Sequence, residues 1–356
     1  MIVINSAEHA LHAPDFEIFR GQKVACFETP ERATAIERSL LQHGHTLVAP
    51  HIDSRSVLTQ VHTPRYLQFL EHAWTDWLAL ASARGVDNAA PLEPPYPSVW
   101  PIRTLRSDRE PGNFTARLGL YSMDNGCTLT AGSWPAAKAA SDAAASAAAL
   151  LLTGAPAVFC CTRPPGHHAG ADFMGGYCFI NNAAVAAQTL VSSGVARVAV
   201  LDVDYHHGNG TQSIFYDRAD VLYTSIHGDP LTEYPFYLGH ADESGAGQGQ
   251  GYNLNLPLAA GSSSAAWFAA LETACKRIAG HQPGALVVSL GLDTFEGDPI
   301  STFLLQSADF SRLGQVLGRL GLPTVFVLEG GYAAAELGLN AANVVEGFER
   351  TFSKQS

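Results

Sequence analysis

Five short runs, almost wholly apolar, do most to restrict how this chain can fold: Ala157–Cys161, Arg197–Val203, Val221–Ile226, Ala285–Leu290 and Thr324–Leu328. A strand with one wet face alternates apolar and polar residues, whereas a run that stays apolar is buried on both faces. Helical patterns occupy most of the gaps, at Ser133–Thr153, Asn182–Ser193, Ser264–Ala279 and Ala308–Leu320, each followed by the glycine that commonly stops a helix. Thr29-Pro30 and Thr63-Pro64 open two earlier helices, because proline at the first helical position lacks only an N–H that would go unpaired. Buried strands alternating with helices predict an α/β fold, a mostly parallel sheet between two helical layers. No linker interrupts the alternation, so residues 1–356 are expected to form a single domain. Residues 85–126 stand apart, broken by Pro91, Pro94, Pro95, Pro97, Pro101 and Pro111, and are read as an insertion near a site mouth or an interface.

Composition excludes several classes. The formal charge is −12 and no Lys/Arg cluster stands out, so a nucleic-acid backbone is a poor partner, while a small cation suits the sign. The six cysteines form no CxxC pair, which argues against a thiolate zinc knot or a secreted disulfide scaffold. No secretory leader pattern opens the sequence and no run of about 18 apolar residues occurs, so a cytoplasmic protein without a membrane span is expected.

Chemistry-bearing residues gather where the apolar runs end. Arg163-Pro164-Pro165-Gly166-His167-His168 follows the first run, and Asp202-Val203-Asp204-Tyr205-His206-His207-Gly208 closes the second. Gly291-Leu292-Asp293 and Glu329-Gly330-Gly331-Tyr332 follow the last two. Ligands of open α/β sheets bind beyond the carboxyl ends of the strands, so these segments should share a crevice. On an extended strand Asp202, Asp204 and His206 would face one way. Asp204 and His206 with Asp293 would then make a metal site of two carboxylates and one imidazole, with room for water. Such ligands suit zinc, and also iron, cobalt or manganese. His167 and His168 could be ligands, surface residues or proton carriers; with the metal already held, they are free for proton transfer. Gly330 and Gly331 would let the backbone come close to a ligand and leave the Tyr332 phenol to donate to a developing oxyanion.

These motifs, together with Gly297-Asp298-Pro299, resemble the histone deacetylase superfamily, and most of all its bacterial acetylpolyamine amidohydrolase branch. The resemblance implies an arginase/deacetylase-like three-layer fold with about eight central strands. It assigns Asp204, His206 and Asp293 to one Zn²⁺, His168 to general base and acid, His167 to its electrostatic partner, and Tyr332 to polarising the scissile carbonyl. It implies a structural K⁺ near Asp202, Ser225 and Ile226, and a second monovalent site around Phe215, Arg218, Val221 and Tyr252. Asn209 stands where many relatives carry aspartate and is expected to contact His168 without a charge.

The same resemblance points to hydrolysis of small acetylated polyamines or diamines by a homodimer or higher oligomer, with the proline-rich insertion narrowing the entrance. Glu17 and Asp124 match acidic positions near a distal ammonium, with Glu110 a further candidate. Gly176 and Tyr177 match one tunnel wall, and Tyr234 and Phe236 are candidates for the other. Three alternatives share parts of this picture: an amidase for neutral anilides, a protein lysine deacetylase, and a silent metal- or acyl-ligand-binding protein.

Overall fold

The computed structural model describes residues 1–85 and 92–352, so residues 86–91 of the proline-rich segment, Pro91 included, lie outside the described residues. Among these the strands are β1 (Ile2–Ile4), β2 (Glu17–Phe19), β3 (Gln22–Val24), β4 (Thr46–Val48), β5 (Ala157–Cys160), β6 (Val198–Asp202), β7 (Val221–Gly228), β8 (Asn253–Leu258), β9 (Ala285–Leu290) and β10 (Thr324–Leu328). The helices are α1 (Pro30–Gln42), α2 (Arg55–Val61), α3 (Pro64–Ala83), α4 (Phe114–Leu120), α5 (Ser133–Leu152), α6 (Asn182–Ser192), α7 (Asn209–Phe215), α8 (Ser264–His281), α9 (Ser307–Gly318) and α10 (Leu337–Thr351). Eight strands form one sheet in the order β4-β1-β5-β10-β9-β6-β7-β8, and every neighbouring pair is parallel. β2 and β3 make a separate antiparallel hairpin.

The apolar runs are explained by where their side chains go. Val158, Cys160, Val325 and Val327 enter one core with residues of α2 to α6. Their chain neighbours Ala157, Phe159, Phe326 and Leu328 enter a second core under α1, α8, α9 and α10. A strand feeding two cores must be apolar at every position, which is the pattern the sequence carries.

A helix end and two helix caps depart from the sequence reading. Helix α8 runs through Gly280 to His281, and Gln282, in the left-handed region at φ 53°, ends it. Neither Thr29 nor Thr63 makes a side-chain cap bond, so the prolines alone mark those starts.

Helices α9 and α10 cross at Gly314, where a Cβ would collide with the Val344 carbonyl oxygen. Gly314→Ala is therefore expected to cost about 1–3 kcal/mol, because overpacking forces the helices apart. Urea unfolding reads this out, and an unchanged midpoint would reject the close-contact account.

Candidate active site

Four adjacent strands, β5, β10, β9 and β6, end side by side and deliver the chemistry-bearing segments to one place. The local geometry corrects one expectation. Strand β6 stops at Asp202, so Asp204 and His206 sit in the turn after it rather than alternating along a strand. Carboxylates organise that turn: the Asp204 N–H donates to Asp202 Oδ1 at 3.2 Å, and the His206 N–H donates to Asp204 Oδ1 at 2.9 Å. Short acidic side chains commonly bond the backbone two residues on, and here two such turns aim both groups into the crevice.

Asp204, His206 and Asp293 come together, with ligand atoms all within 4.8 Å of one another. His206 Nδ1 is 3.2 Å from Asp293 Oδ2 and 3.4 Å from Asp204 Oδ1. Asp204 and Asp293 are almost wholly buried, and among the described residues no lysine or arginine pairs with either. Burial and the nearby Asp204 carboxylate push Asp293 up, as expected of two acids sharing a dry site. Gly330 completes the cradle: its N–H donates to Asp204 Oδ2 at 2.8 Å, and a Cβ there would strike both carboxylates. Two acids without a lysine or arginine partner, beside an imidazole and closed by a glycine, fit a divalent cation by donor set.

The histidine pair lies alongside, with ring centroids 4.0 Å apart and Asp202 and Asn209 behind it. His167 Nδ1 meets Asp202 Oδ2 at 3.1 Å. Burial alone would lower His167, but the Asp204 and Asp202 carboxylates outweigh it and hold the imidazole up to about 10. His168 Nδ1 meets Asn209 Oδ1 at 2.8 Å. That oxygen can only accept, so Nδ1 carries hydrogen and Nε2 keeps a lone pair. Burial and the neighbouring His167 and His206 keep His168 well below the ordinary imidazole value. Side by side, the two histidines hold opposite charge states, one cationic and one poised as a base.

Tyr332 follows the Gly330–Gly331 turn. Its N–H donates to Asp298 Oδ2 at 2.7 Å, and the Arg32 guanidinium lies 4.6 Å from its ring centre. Arg32, buried in α1, also donates to the Glu329 and Gly331 carbonyls at 2.6 Å each, so it fixes the turn that carries Tyr332. A cavity of about 330 Å³ reaches these groups. Its walls include Tyr177, Tyr234, Phe236, Gly176, Asp124, Glu233 and the hairpin residues Ile18, Phe19, Arg20 and Gly21, with Asp204, His206, both histidines and Tyr332 at its floor.

Not every expected residue reaches the cavity. Asp124 does, accepting from Tyr234 Oη at 2.6 Å and from the Gly126 N–H at 2.8 Å. Glu17 does not: its carboxylate sits behind Tyr177, accepting from that phenol at 2.8 Å and from the Phe27 N–H at 3.2 Å. Glu110 is turned away, bound by Tyr121 Oη at 2.6 Å. Asp202 and Ser225 are register partners on β6 and β7, with Ile226 the next residue. Phe215 and Arg218 share a turn bond of 3.0 Å, and Tyr223, two residues after Val221, bonds the Tyr252 carbonyl at 3.0 Å.

Sequence reasoning gave no role to Glu329, Asp298 or Arg32, nor, Glu17 aside, to the β2–β3 hairpin. An acid closing the apolar run of β10 was a signal for Glu329. The Arg20-Gly21 turn carries none of the usual hairpin dipeptides.

Comparison with known proteins decides the family. The histone deacetylase domain matches residues 26–348. The chain belongs to the histone deacetylase family. Its reaction class is therefore hydrolytic deacetylation. Acetylpolyamine amidohydrolase 2 of Pseudomonas aeruginosa is 51% identical over 98% of this chain and 99% of its own. Acetylpolyamine amidohydrolase of Mycoplana ramosa is 43% identical over 98% and 99% respectively. A solved acetylpolyamine aminohydrolase from Burkholderia pseudomallei superposes with a TM-score of 0.92 at 39% identity, covering 99% of this family member and 100% of that chain. The fold expectation, a parallel sheet of eight strands between helices, is met.

Proposed function

We propose that this chain is a zinc-dependent amidohydrolase that removes acetyl groups from small N-acetylated polyamines or diamines. The observation that carries the reading is the buried Asp204–His206–Asp293 cradle at the floor of a cavity that also holds an acid, Asp124, between aromatic walls. The full-length similarity to enzymes named acetylpolyamine amidohydrolase supports the substrate class.

Zinc in that cradle would supply Lewis acidity to the amide carbonyl and to water. The chain's own groups do the rest. His168 Nε2 takes the proton from the attacking water and returns it to the departing amine. His167, held cationic, stabilises negative charge beside it. The Tyr332 hydroxyl donates to the oxygen on which charge develops. Asn209 orients His168 without adding charge. Tyr177, Tyr234 and Phe236 flank an extended alkyl amine, and Asp124 attracts its distal ammonium. K⁺ at Asp202, Ser225 and Ile226 would brace the turn below, with a second monovalent ion near Phe215, Arg218, Val221 and Tyr252. The chain acts as one domain, assembled as a homodimer or higher oligomer and working in the cytoplasm.

Steady-state kinetics on acetylputrescine, acetylspermidine, an acetyl-lysine peptide and acetanilide test the reading. The acetylated polyamines are expected to give the highest kcat/KM. Asp124→Asn should raise their KM about tenfold, the scale of one charged contact, and leave acetanilide unchanged. Better turnover of the peptide or of the anilide would discard the polyamine assignment and keep the deacetylase.

Asn209→Asp tests the acid–base pair. A carboxylate at Nδ1 favours imidazolium, so the His168 value should rise. The base form is then lost at higher pH, and the acidic limb of kcat/KM should move upward with it. A limb that stays put would remove His168 as the titrating base.

A further inference from the structure

We propose that His167, Cys178 and Glu329 form a second metal site, which takes a divalent cation such as Zn²⁺ or Co²⁺ and shuts the enzyme when filled. Their ligand atoms lie within 4.8 Å of one another, and all three side chains are almost wholly buried. They converge from separate segments: the loop after β5, the turn before α6, and the end of β10.

Each ligand lacks something that a cation supplies. Glu329 Oε2 accepts the N–H groups of Gly166 at 2.7 Å and His167 at 3.1 Å, while Oε1 accepts from Ser289 Oγ at 3.1 Å. Among the described residues no lysine or arginine reaches that carboxylate, because Arg32 bonds only the Glu329 backbone carbonyl. The protonated His167 ring lowers the cost of burying that carboxylate, and a metal ion taking the place of that proton keeps positive charge there. The Cys178 thiol donates to the Gly176 carbonyl at 3.2 Å, so it carries its proton. Asp202 occupies His167 Nδ1, so a metal would bind at Nε2 by displacing the proton there. Sulfur, nitrogen and oxygen in one shell suit zinc or cobalt, and match neither magnesium nor potassium.

Entry is through the cavity, which His167 lines. On binding, the Cys178 thiol and His167 Nε2 each give up a proton to solvent, and the thiolate and the neutral imidazole become ligands. The ion neighbours the cradle described above, since His167 Nε2 lies 3.7 Å from Asp204 Oδ1. With Nε2 bound to metal, His167 no longer serves the reaction, so excess zinc should inhibit.

Stepwise Co²⁺ addition to the metal-free full chain separates the two sites. The Asp204–His206–Asp293 cradle holds no sulfur, so the first equivalent should activate without a thiolate-to-cobalt charge-transfer band in the near ultraviolet. Further cobalt should bring up that band and lower activity at least tenfold. Cys178→Ser should abolish the band and raise the half-inhibitory cobalt concentration at least tenfold, and Glu329→Gln should weaken both effects. Absence of the band in the unaltered protein at several equivalents would overturn the site, as would a band that survives Cys178→Ser. Activation by the first equivalent reports on the cradle alone, so either assignment can fail without the other.

Discussion

Tyr332→Phe is expected to lower kcat by about 10²–10³-fold while the metal content of the chain stays unchanged. That is the usual scale for losing one oxyanion donor in a water-poor site. The substitution is clean because the geometry assigns everything else about Tyr332 to its ring and backbone. The main-chain N–H to Asp298, the Arg32 guanidinium over the ring face and the edge contact with Tyr177 at 5.8 Å all survive in phenylalanine. Only the hydroxyl is lost. Turnover within threefold of the unaltered enzyme, with zinc bound, would remove Tyr332 from the chemistry and leave it a wall residue.

Removing the metal with a chelator is expected to abolish turnover and to lower Tm by an amount that grows as pH rises from about 6.5 to about 9. The direction follows from where protons sit in the metal-free cradle. Burial alone would lower His206, but Asp204 and Asp293 hold it up to about 9, and burial pushes Asp293 upward as well. A folded-state value above the unfolded one gives stability that is complete below the unfolded value and lost as pH climbs through the folded one. The metal replaces those protons, so the loaded enzyme escapes that loss. Bound zinc adds stability of its own, about 4 kcal/mol when free metal exceeds Kd a thousandfold. Thermal melts at pH 6.5, 7.5 and 9, with and without chelator, read the difference. A gap that stays constant across that range would show that Asp204, His206 and Asp293 are not where the metal binds.

The centre of the sheet was legible because its strands feed two cores and so stay apolar at every position. That signal gave β5, β6, β7, β9 and β10 within two residues. It could not give β1 or β4, each three residues long, or β8, where buried Asn253 and Asn255 break the apolar pattern. Those asparagines pair with Gln212, a partner 40 or more positions away that no local window contains. The floor of the site was legible for a related reason: Asp204, His206, Asp293 and Tyr332 each follow directly on a readable strand. The walls were not. Glu233 and the Ile18–Gly21 hairpin reach the cavity from unrelated stretches of chain. Glu17 shows the converse, a matching residue type whose carboxylate is turned behind Tyr177.

The strand order also bears on how the chain is made. Strand β10, the last in sequence, lies between β5 and β9, which share no bond with each other. While residues 324–328 are still inside the ribosome, the nascent chain holds two separate half-sheets, β4-β1-β5 and β9-β6-β7-β8, each with an open apolar edge. No catalytic loop set is complete at that stage, since Tyr332 is not yet out. Vectorial synthesis therefore passes through an intermediate with its central seam unzipped, the kind of species that chaperones bind. Expression yield of this protein should respond more to chaperone supply during translation than to the stability of the finished fold.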